Sequence, residues 1–363
     1  MSKSSFSRST PYDLVRVGVI TGPGGHIPAI WGNNMNPPAG HIRTTGMVMT
    51  HAWTIRQEMA ERLVSLFDGL QVVRHPEEMI GQIDGVYIDD IGAISLYPLL
   101  VKPFLEAGIP TFVNRPFATS LAKGQAMVDL AAKHGTALLT ASTWEYTESV
   151  GDLRAKAAEM ADIKGYVAHN SMSDYYTHGL HGVWHIHAVL RDEISKGRGK
   201  VRGAAYHTPD WRKPNGLVIY EHEHPSRPYY GCLQLVSGAD GQAYMRIFGD
   251  HRGDAEGKIP ARPGYFRYNT WNALQLVIQE MFETGKSPET GEALMEKLTM
   301  FLLPFYSILE RDGGFVHREA LGDWELPNPS PALMRDGEPK DSAFQQPYTE
   351  SELAVVEKTL TSV

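Results

Sequence analysis

The largest concentration of chemistry-bearing side chains is a group of histidines in the middle of the chain. Eight of the fifteen histidines lie between positions 169 and 224. If residues 176–185 form a helix, His178, His181 and His185 stand at i, i+3 and i+7, on one continuous stripe. Histidines spaced this way can share a divalent metal ion such as zinc or manganese. The stripe therefore predicts either a metal site or imidazoles that contact a substrate and exchange protons with it.

A second polar cluster, Glu221-His222-Glu223-His224, follows an apolar run. In an extended chain the two glutamates face one way and the two histidines the other. Either pair could complete a metal site or contact a sugar. A polar strand end at the surface explains any single one of them equally well.

A glycine-rich turn near the N-terminus has the composition of a phosphate-binding loop. The β-branched run at 15–21 leads into Gly22-Pro23-Gly24-Gly25. A dinucleotide fingerprint uses glycines for a tight turn and for backbone approach to the pyrophosphate, but its third glycine is replaced here by Ile27. Asp89 and Asp90 follow another strand, where two carboxylates would repel a phosphate. They could instead bind a metal or sugar hydroxyls, or cap the helix that starts near residue 96.

The second strand lacks the acidic residue that usually holds the adenosine ribose hydroxyls. His51-Ala52-Trp53 stands there instead. Arg56, just beyond, could hold a 2′-phosphate and so favour NADP. An arginine on a helix face is more often just solvated.

The first 142 residues alternate between strands and helices. Strands are expected at 15–21, 47–50, 71–74, 85–88, 111–114 and 137–140, with helices at 54–67, 96–107 and 121–134. This alternation predicts a Rossmann-like, doubly wound parallel sheet over residues 12–142.

Residues 143–325 do not continue the regular alternation of strands and helices. Their pattern predicts an α+β domain with an open, mostly antiparallel sheet. Strands are expected at 165–170, 201–206, 217–220, 231–237 and 242–248, after a helix at 150–160. Gly238-Ala239-Asp240-Gly241 predicts a hairpin between the last two strands. Ser287-Pro288 is expected to start a helix over 287–311 that packs back on the first domain. Residues 326–363 form the third segment, a surface tail whose final short helix begins at a Thr349/Glu352 capping box.

The run from Asp84 to Ser120 resembles the middle of the nucleotide-binding domain of the glucose-fructose oxidoreductase, inositol dehydrogenase and MocA (Gfo/Idh/MocA) family. In that family a strand ends in Glu-Lys-Pro, and the lysine assists proton movement during hydride transfer. Asn114-Arg115-Pro116 stands at that place here. A lysine can lose its proton when its pKa falls, whereas a guanidinium effectively cannot.

The resemblance also implies the site residues and the cofactor. Residues 176–185 match the family helix Asp-x-Gly-x-His-x-x-Asp, which places His185 at the catalytic acid or base and His181 at the first aspartate. Ala188 replaces the later aspartate. The implied cofactor is NAD or NADP. The residues implied to bind it are Gly22, Gly24, Gly25, His26, Asp89, Asn114 and Arg115.

Composition and charge exclude some classes of binding partner. The net charge of −8 argues against nucleic acid and against an anionic membrane surface. No apolar run reaches the roughly 20 residues that span a bilayer, and residues 1–13 lack the apolar core of a signal peptide. Cys232 is the single cysteine, which indicates a reducing cytoplasm. The resemblance implies a homo-oligomer, a dimer or tetramer, through the C-terminal sheet.

Three functions follow from these observations. The first is an NAD(P)-dependent oxidoreductase acting on a sugar, polyol or related carbohydrate, with His185 as acid or base, His181 beside it and Arg115 orienting the substrate. The second is a carbohydrate lyase, hydrolase or isomerase on the same fold, without NAD(P), using a metal at the histidine stripe. The third is a non-catalytic sugar-binding or scaffolding protein. We expect the first, because the resemblance extends from Val15 to Gly314.

Overall fold

The computed structural model describes residues 13–160, 162–170, 175–212, 215–236, 243–249, 255–259, 263–327 and 347–362. Its first sheet has six strands, all parallel, in the order β3-β2-β1-β4-β5-β6. These strands are β1 (Val15–Thr21), β2 (Met47–Trp53), β3 (Gln71–Val72), β4 (Gly85–Asp89), β5 (Thr111–Val113) and β6 (Leu138–Leu139). The two central strands, β1 and β4, are nearly continuous apolar runs, as expected for strands covered on both faces. The predicted doubly wound parallel sheet is confirmed.

Helices connect these strands and cover the sheet. They are α1 (Gly32–Met35), α2 (Gln57–Leu66), α3 (Tyr97–Glu106) and α4 (Leu121–His134). The Ser120 side chain caps α4 by accepting from the Lys123 amide, and Gly135 ends it in the left-handed region. A π-helical turn, Ile27–Trp31, precedes α1 and was not predicted.

The second sheet has seven strands in the order β12-β11-β7-β10-β9-β8-β13. They are β7 (Gly165–Asn170), β8 (Val201–His207), β9 (Gly216–His222), β10 (Tyr229–Leu235), β11 (Ala243–Phe248), β12 (Ala255–Ile259) and β13 (Val316–His317). All neighbours are antiparallel except β7 and β10. The mostly antiparallel sheet is confirmed.

The predicted hairpin between the strands at 231–237 and 242–248 is wrong. Strand β7 lies between β10 and β11 and pairs with both of them. A local turn signal promotes pairing of its flanking strands, but it cannot exclude insertion of a strand from elsewhere in the chain. Residues 237–242, which carry the turn signal, lie outside the described residues.

Five further helices belong to the later part of the chain. They are α5 (Glu148–Glu159), α6 (Leu180–Ser195), α7 (Pro263–Thr284), α8 (Gly291–Glu310) and α9 (Glu350–Thr361). Helix α7 was not predicted. Among the described residues, no helix combines the length and the apolar character that crossing a bilayer requires.

The late helix starts four residues after its predicted beginning. Thr290 caps α8, while the Ser287 hydroxyl donates to the Leu138 carbonyl oxygen at 2.8 Å. Helix α8 packs against α4 at Gly124, where an added Cβ would lie 2.4 Å from Leu298. The capping box that starts α9 is present as predicted, with Thr349 and Glu352 bonding reciprocally.

Candidate functional site

The site lies at the carboxyl edge of the parallel sheet. Strands β1 and β4 are neighbours, and the order of the strands reverses between them. Ligands bind at such switch points in doubly wound folds, because the connections diverge and leave a crevice. The glycine-rich turn after β1, Asp89 at the end of β4 and Asn114 after β5 therefore meet at one place.

The Asp89 carboxylate accepts hydrogen bonds from the backbone amides at the start of the helical turn that follows the glycine-rich loop. Its Oδ2 accepts from the backbone N–H of His26 and, at 2.8 Å, from that of Ile27. Its Oδ1 accepts from Asn114 Nδ2 at 2.6 Å. Exposed N-terminal amides of this kind attract anions. Here the chain supplies the anion itself.

The second aspartate is packed against the glycine-rich turn. A Cβ added to Gly22 would lie 2.2 Å from the Asp90 carboxyl, and one added to Gly25 would lie 2.5 Å from the Asp89 carbonyl oxygen. Both glycines therefore permit close approach of the β4 end. Burial raises the pKa of the Asp90 carboxyl to about 7, against the lowering effect of a hydrogen bond from Tyr348.

Tyr348, which immediately precedes α9, covers this end of the crevice. Its hydroxyl donates to Asp90 Oδ2 at 2.8 Å, and its ring lies 3.1 Å from where a Cβ on Gly92 would stand. The Arg56 guanidinium lies over the ring, 4.8 Å from its centroid. The Tyr348 side chain is therefore enclosed by the segments that follow β2 and β4.

Arg56 is held by the same C-terminal segment. Its Nε donates to Glu352 Oε1 at 2.7 Å, and its Nη2 donates both to Glu352 Oε2 at 3.1 Å and to the Pro347 carbonyl oxygen at 2.9 Å. The bidentate bond lowers the pKa of Glu352 to about 2. The interpretation of Arg56 as merely solvated is wrong, because its guanidinium is bonded to Glu352 and Pro347.

At the other end of the crevice Arg115 donates to a histidine. Its Nε and one terminal nitrogen lie 3.2 and 2.7 Å from His181 Nε2, and the other terminal nitrogen donates to Asn114 Oδ1 at 3.2 Å. Burial lowers the pKa of Arg115 to about 10, so the guanidinium stays protonated at neutral pH. Because Arg115 only donates, His181 Nε2 must present its lone pair.

The tautomer of His181 follows from that bond. Its proton is on Nδ1, which lies 2.6 Å from Ser142 Oγ and donates to it. The Ser142 hydroxyl also accepts from the Trp144 amide at 3.2 Å, and the Trp144 ring stacks on the imidazole with centroids 5.0 Å apart. His181 is thus a fixed, neutral acceptor. The sequence did not single out Ser142, which lies just after β6 and has no motif of its own.

A buried ion cluster supports the Ser142 turn. Glu145 Oε1 accepts from the Ser142 amide at 2.6 Å, and its Oε2 lies 2.6 Å from Lys297 Nζ. Lys297 also pairs with Glu289 at 2.6 Å, and Glu289 in turn pairs with Arg191. Burial raises the pKa of Glu145, whereas the Lys297 ammonium lowers it. Two carboxylates and two cations balance in charge within this cluster.

The other histidines on or next to α6 lie in different environments. His185 is buried, and burial lowers the pKa of its imidazole to about 4. His187 is also buried, and neither of its ring nitrogens has a hydrogen-bond partner among the described residues. The side chain of His178 lies outside the described residues, although its backbone is in a π-helical turn.

A metal site receives no support from this arrangement. Among the described residues, no group of three histidine, cysteine, aspartate or glutamate side chains is placed to hold a metal ion. Both ring nitrogens of His181 are engaged by Arg115 and Ser142. In this arrangement His181 has no nitrogen left for a metal.

The cluster at 221–224 has structural partners. His222 is buried and bonds Tyr166 Oη at 2.8 Å and the Gly199 carbonyl oxygen at 2.7 Å. Glu221 pairs with Arg202 at 2.8 Å and accepts from Tyr230 Oη. The surface interpretation is therefore wrong for His222, and these contacts account for both side chains without a ligand.

His26 bridges the two ends of the crevice. Its Nδ1 lies 3.1 Å from Asn114 Nδ2 and 3.4 Å from Asp89 Oδ1, while its Nε2 lies 3.5 Å from Arg115. The ring stacks on Trp31, a residue that the sequence did not indicate, with centroids 5.0 Å apart. Burial lowers the pKa of His26, and the Arg115 charge adds to that effect. The structure therefore brings His26, Asp89, Asn114, Arg115 and His181 into one connected network.

Comparison with known proteins yields structures but no sequence relatives. No family model and no curated protein matches the chain. A probable dehydrogenase from Thermotoga maritima is similar at a TM-score of 0.66 and 14% identity, over 85% of this chain and 100% of that one.

Some of the similar structures contain ligands. The Lactobacillus casei myo-inositol dehydrogenase in complex with NAD(H) and myo-inositol gives a TM-score of 0.68 at 14% identity, over 84% of this chain and 96% of that one. An Agrobacterium radiobacter oxidoreductase in complex with NAD⁺, L-tartaric acid and magnesium gives 0.62 at 12% identity, over 85% and 99%. The chain therefore has the Gfo/Idh/MocA fold, as the sequence resemblance predicts.

Proposed function

We propose that the protein is an oxidoreductase that moves a hydride between a sugar, polyol or related carbohydrate and a nicotinamide dinucleotide. The observation that carries this proposal is the buried pairing of Arg115 with His181, at the positions that correspond to the family's lysine and first aspartate. The similar structures from Lactobacillus casei and Agrobacterium radiobacter contain NAD with a polyol or a hydroxy acid. Their fold is the one this chain adopts.

Arg115 is proposed to bind and orient the substrate oxygen. The guanidinium has five N–H groups, and three of them donate to His181 and Asn114. The same nitrogen that donates to His181 also lies 3.5 Å from His26 Nε2. The guanidinium keeps its positive charge in a buried site, where such a charge stabilises a developing alkoxide most strongly. His181 and Ser142 are proposed to hold the guanidinium in place.

The proton is proposed to pass to His185. Its low pKa keeps the imidazole neutral at physiological pH, so its lone pair is available. Arg115 cannot take this role, because it retains its proton.

The nucleotide end of the crevice does not fit a dinucleotide in the arrangement described. The Asp89 carboxylate holds the amides that would face a pyrophosphate, and Asp90 lies against Gly22. Tyr348 and Glu352 fill the space beside Arg56. A bound dinucleotide would supply or accept the hydride, and these side chains must move before it can enter.

The proposed function is tested by a turnover screen. Purified protein is mixed with NAD⁺ or NADP⁺ and a panel of inositols, other polyols, sugars and hydroxy acids, and reduced nicotinamide is followed by absorbance. Turnover that is lost in Arg115→Ala and His185→Asn supports the proposal. Calorimetric titration with all four nicotinamide forms that gives no heat in any variant would overturn it, and would return attention to a non-redox carbohydrate enzyme.

The oligomeric state and the location of the protein are also proposals. Leu217 and Tyr230 expose apolar surface on one face of β9 and β10, beside the half-buried Cys232. We infer that this face joins copies into a dimer or tetramer in the cytoplasm. Mass photometry should detect a single oligomer, and Tyr230→Glu should dissociate it.

A further inference from the structure

We propose that the chain carries its own occupants of the dinucleotide site, and that the segment Pro347–Glu352 competes with the adenosine half of the cofactor. This inference builds on the proposed function. It concerns contacts between residues that lie far apart in the sequence, namely Asp90 with Tyr348 and Arg56 with Glu352.

The Tyr348 ring lies where the adenosine of a dinucleotide is expected in this fold. In a doubly wound fold the dinucleotide lies across the carboxyl ends of the strands, at the point where the strand order reverses. The Tyr348 ring lies at this edge, between Arg56 after β2 and Gly92 after β4, and its hydroxyl reaches Asp90. A flat aromatic group with a guanidinium over its face is also how a base would be held.

The Asp89 carboxylate accepts from the amides that the phosphates of a dinucleotide would need. These are two successive amides, those of His26 and Ile27, and the carboxylate is fully buried. A pyrophosphate would need the same donors, and it would meet the negative charge of Asp89 if that side chain stayed in place. The two internal occupants together cover the adenosine and phosphate positions.

The segment Pro347–Glu352 is held by one partly exposed ion pair and one buried side chain. Arg56 and Glu352 keep about 15% and 35% of their side-chain surface exposed, so the pair is partly screened by solvent. Tyr348, in contrast, is buried. Release of the segment therefore costs the burial of one tyrosine ring, its hydrogen bond to Asp90 and the bonds from Arg56 to Glu352 and Pro347, and a dinucleotide could replace the ring with its own base.

The test compares the intact chain with two altered ones. A chain that ends at residue 346 lacks the segment, and Tyr348→Ala keeps the segment but removes the ring. Val355→Ala, on the exposed side of α9, is the matched control. Each is titrated calorimetrically with NADH, with adenosine monophosphate and with nicotinamide mononucleotide, after thermal unfolding has shown that it is folded.

We expect the truncated chain and Tyr348→Ala to bind NADH and adenosine monophosphate at least tenfold more tightly than the intact chain. Nicotinamide mononucleotide, which lacks adenosine, should bind all four proteins alike, and Val355→Ala should behave as the intact chain. Equal binding of NADH by the intact and altered chains would overturn the competition while leaving the proposed function in place. No binding of any nicotinamide form by any chain would overturn both.

Discussion

The two ends of the crevice solve the problem of buried charge differently. At the nucleotide end the Asp89 carboxylate accepts from the amides of His26 and Ile27 and from Asn114 Nδ2, all of the same chain. The Asp90 carboxyl accepts from Tyr348 at Oδ2, and its buried Oδ1 has no hydrogen-bond partner among the described residues. At the substrate end the Arg115 guanidinium donates to a neutral imidazole and an amide oxygen. Among the described residues, no carboxylate lies within ion-pair distance of Arg115.

This difference indicates where a ligand is needed. Because the Asp89 carboxylate already accepts from the amides of His26 and Ile27, a ligand that needs those amides must displace it. A guanidinium that has no carboxylate partner gains a charge-assisted interaction when an electron-rich oxygen arrives. The first end is expected to regulate entry, and the second to perform the chemistry.

The largest expected effect concerns the ion cluster below the substrate end. Lys297→Met leaves Glu145 and Glu289 buried with one cation fewer, so we expect a loss of about 3–5 kcal/mol in the free energy of unfolding. Lys123→Met, which breaks the exposed pair with Glu325, should cost at most about 1 kcal/mol. Urea unfolding measures both. A loss below about 1 kcal/mol for Lys297→Met would show that the cluster does not hold the Ser142 turn.

Substitution of Arg115 should affect turnover rather than the fold. Removal of one preorganised charge beside a developing oxyanion typically lowers kcat by about 10²–10³-fold, and we expect Arg115→Ala to fall in this range. Arg115→Lys should recover part of the loss, because it keeps the charge without the forked bond to His181. The control is Arg154→Lys, in the exposed pair with Asp192. Unchanged kcat in Arg115→Ala would move the chemistry elsewhere.

The titration of Asp90 gives a third prediction. Because its folded pKa is raised to about 7, the folded state binds more protons than the unfolded state between about pH 4 and 7, and stability falls as pH rises through this window. The groups that act on Asp90 are Asp89, Arg56 and Tyr348. Asp90→Asn should remove this slope. The free energy of unfolding of the variant, compared with that of the parent, should therefore increase by up to about 4 kcal/mol between pH 4 and pH 8. Parallel pH profiles of the two proteins would contradict the assignment.

The smallest expected effect is at the cap of α9. Thr349→Ala removes the side chain that accepts from the Glu352 amide, which should cost this helix about 1 kcal/mol. We expect faster amide exchange in α9 and slightly tighter NADH binding, because the segment is released more easily. Thr290→Ala, at the cap of α8, should leave NADH affinity unchanged. Weaker NADH binding in Thr349→Ala would contradict the competition.

The sequence predicted the elements well where the signal was local. β1 and α4 have the predicted bounds, because a run rich in β-branched residues and a capped amphipathic run each define their own ends. The hairpin failed because strand pairing in the second sheet depends on β7, which lies about 60 residues earlier.

The site was predicted only in part, for the same reason. Its members on motifs, Arg115 and His181, were named, although their direct contact was not. Ser142, Trp31 and Tyr348 have no motif, and their roles depend on contacts across long stretches of sequence. The prediction that Asp89 contacts the cofactor assumed an open loop, whereas its carboxylate bonds to the amides of that loop.

The central claim is that the segment Pro347–Glu352 and the dinucleotide exclude each other, and hydrogen–deuterium exchange of the intact chain with saturating NADH tests it most directly. We expect exchange to rise in the peptide that covers residues 347–352 and to fall at the glycine-rich turn, because the ligand takes over the amides of His26 and Ile27. Unchanged or slower exchange at residues 347–352, while titration shows NADH bound, would contradict the account.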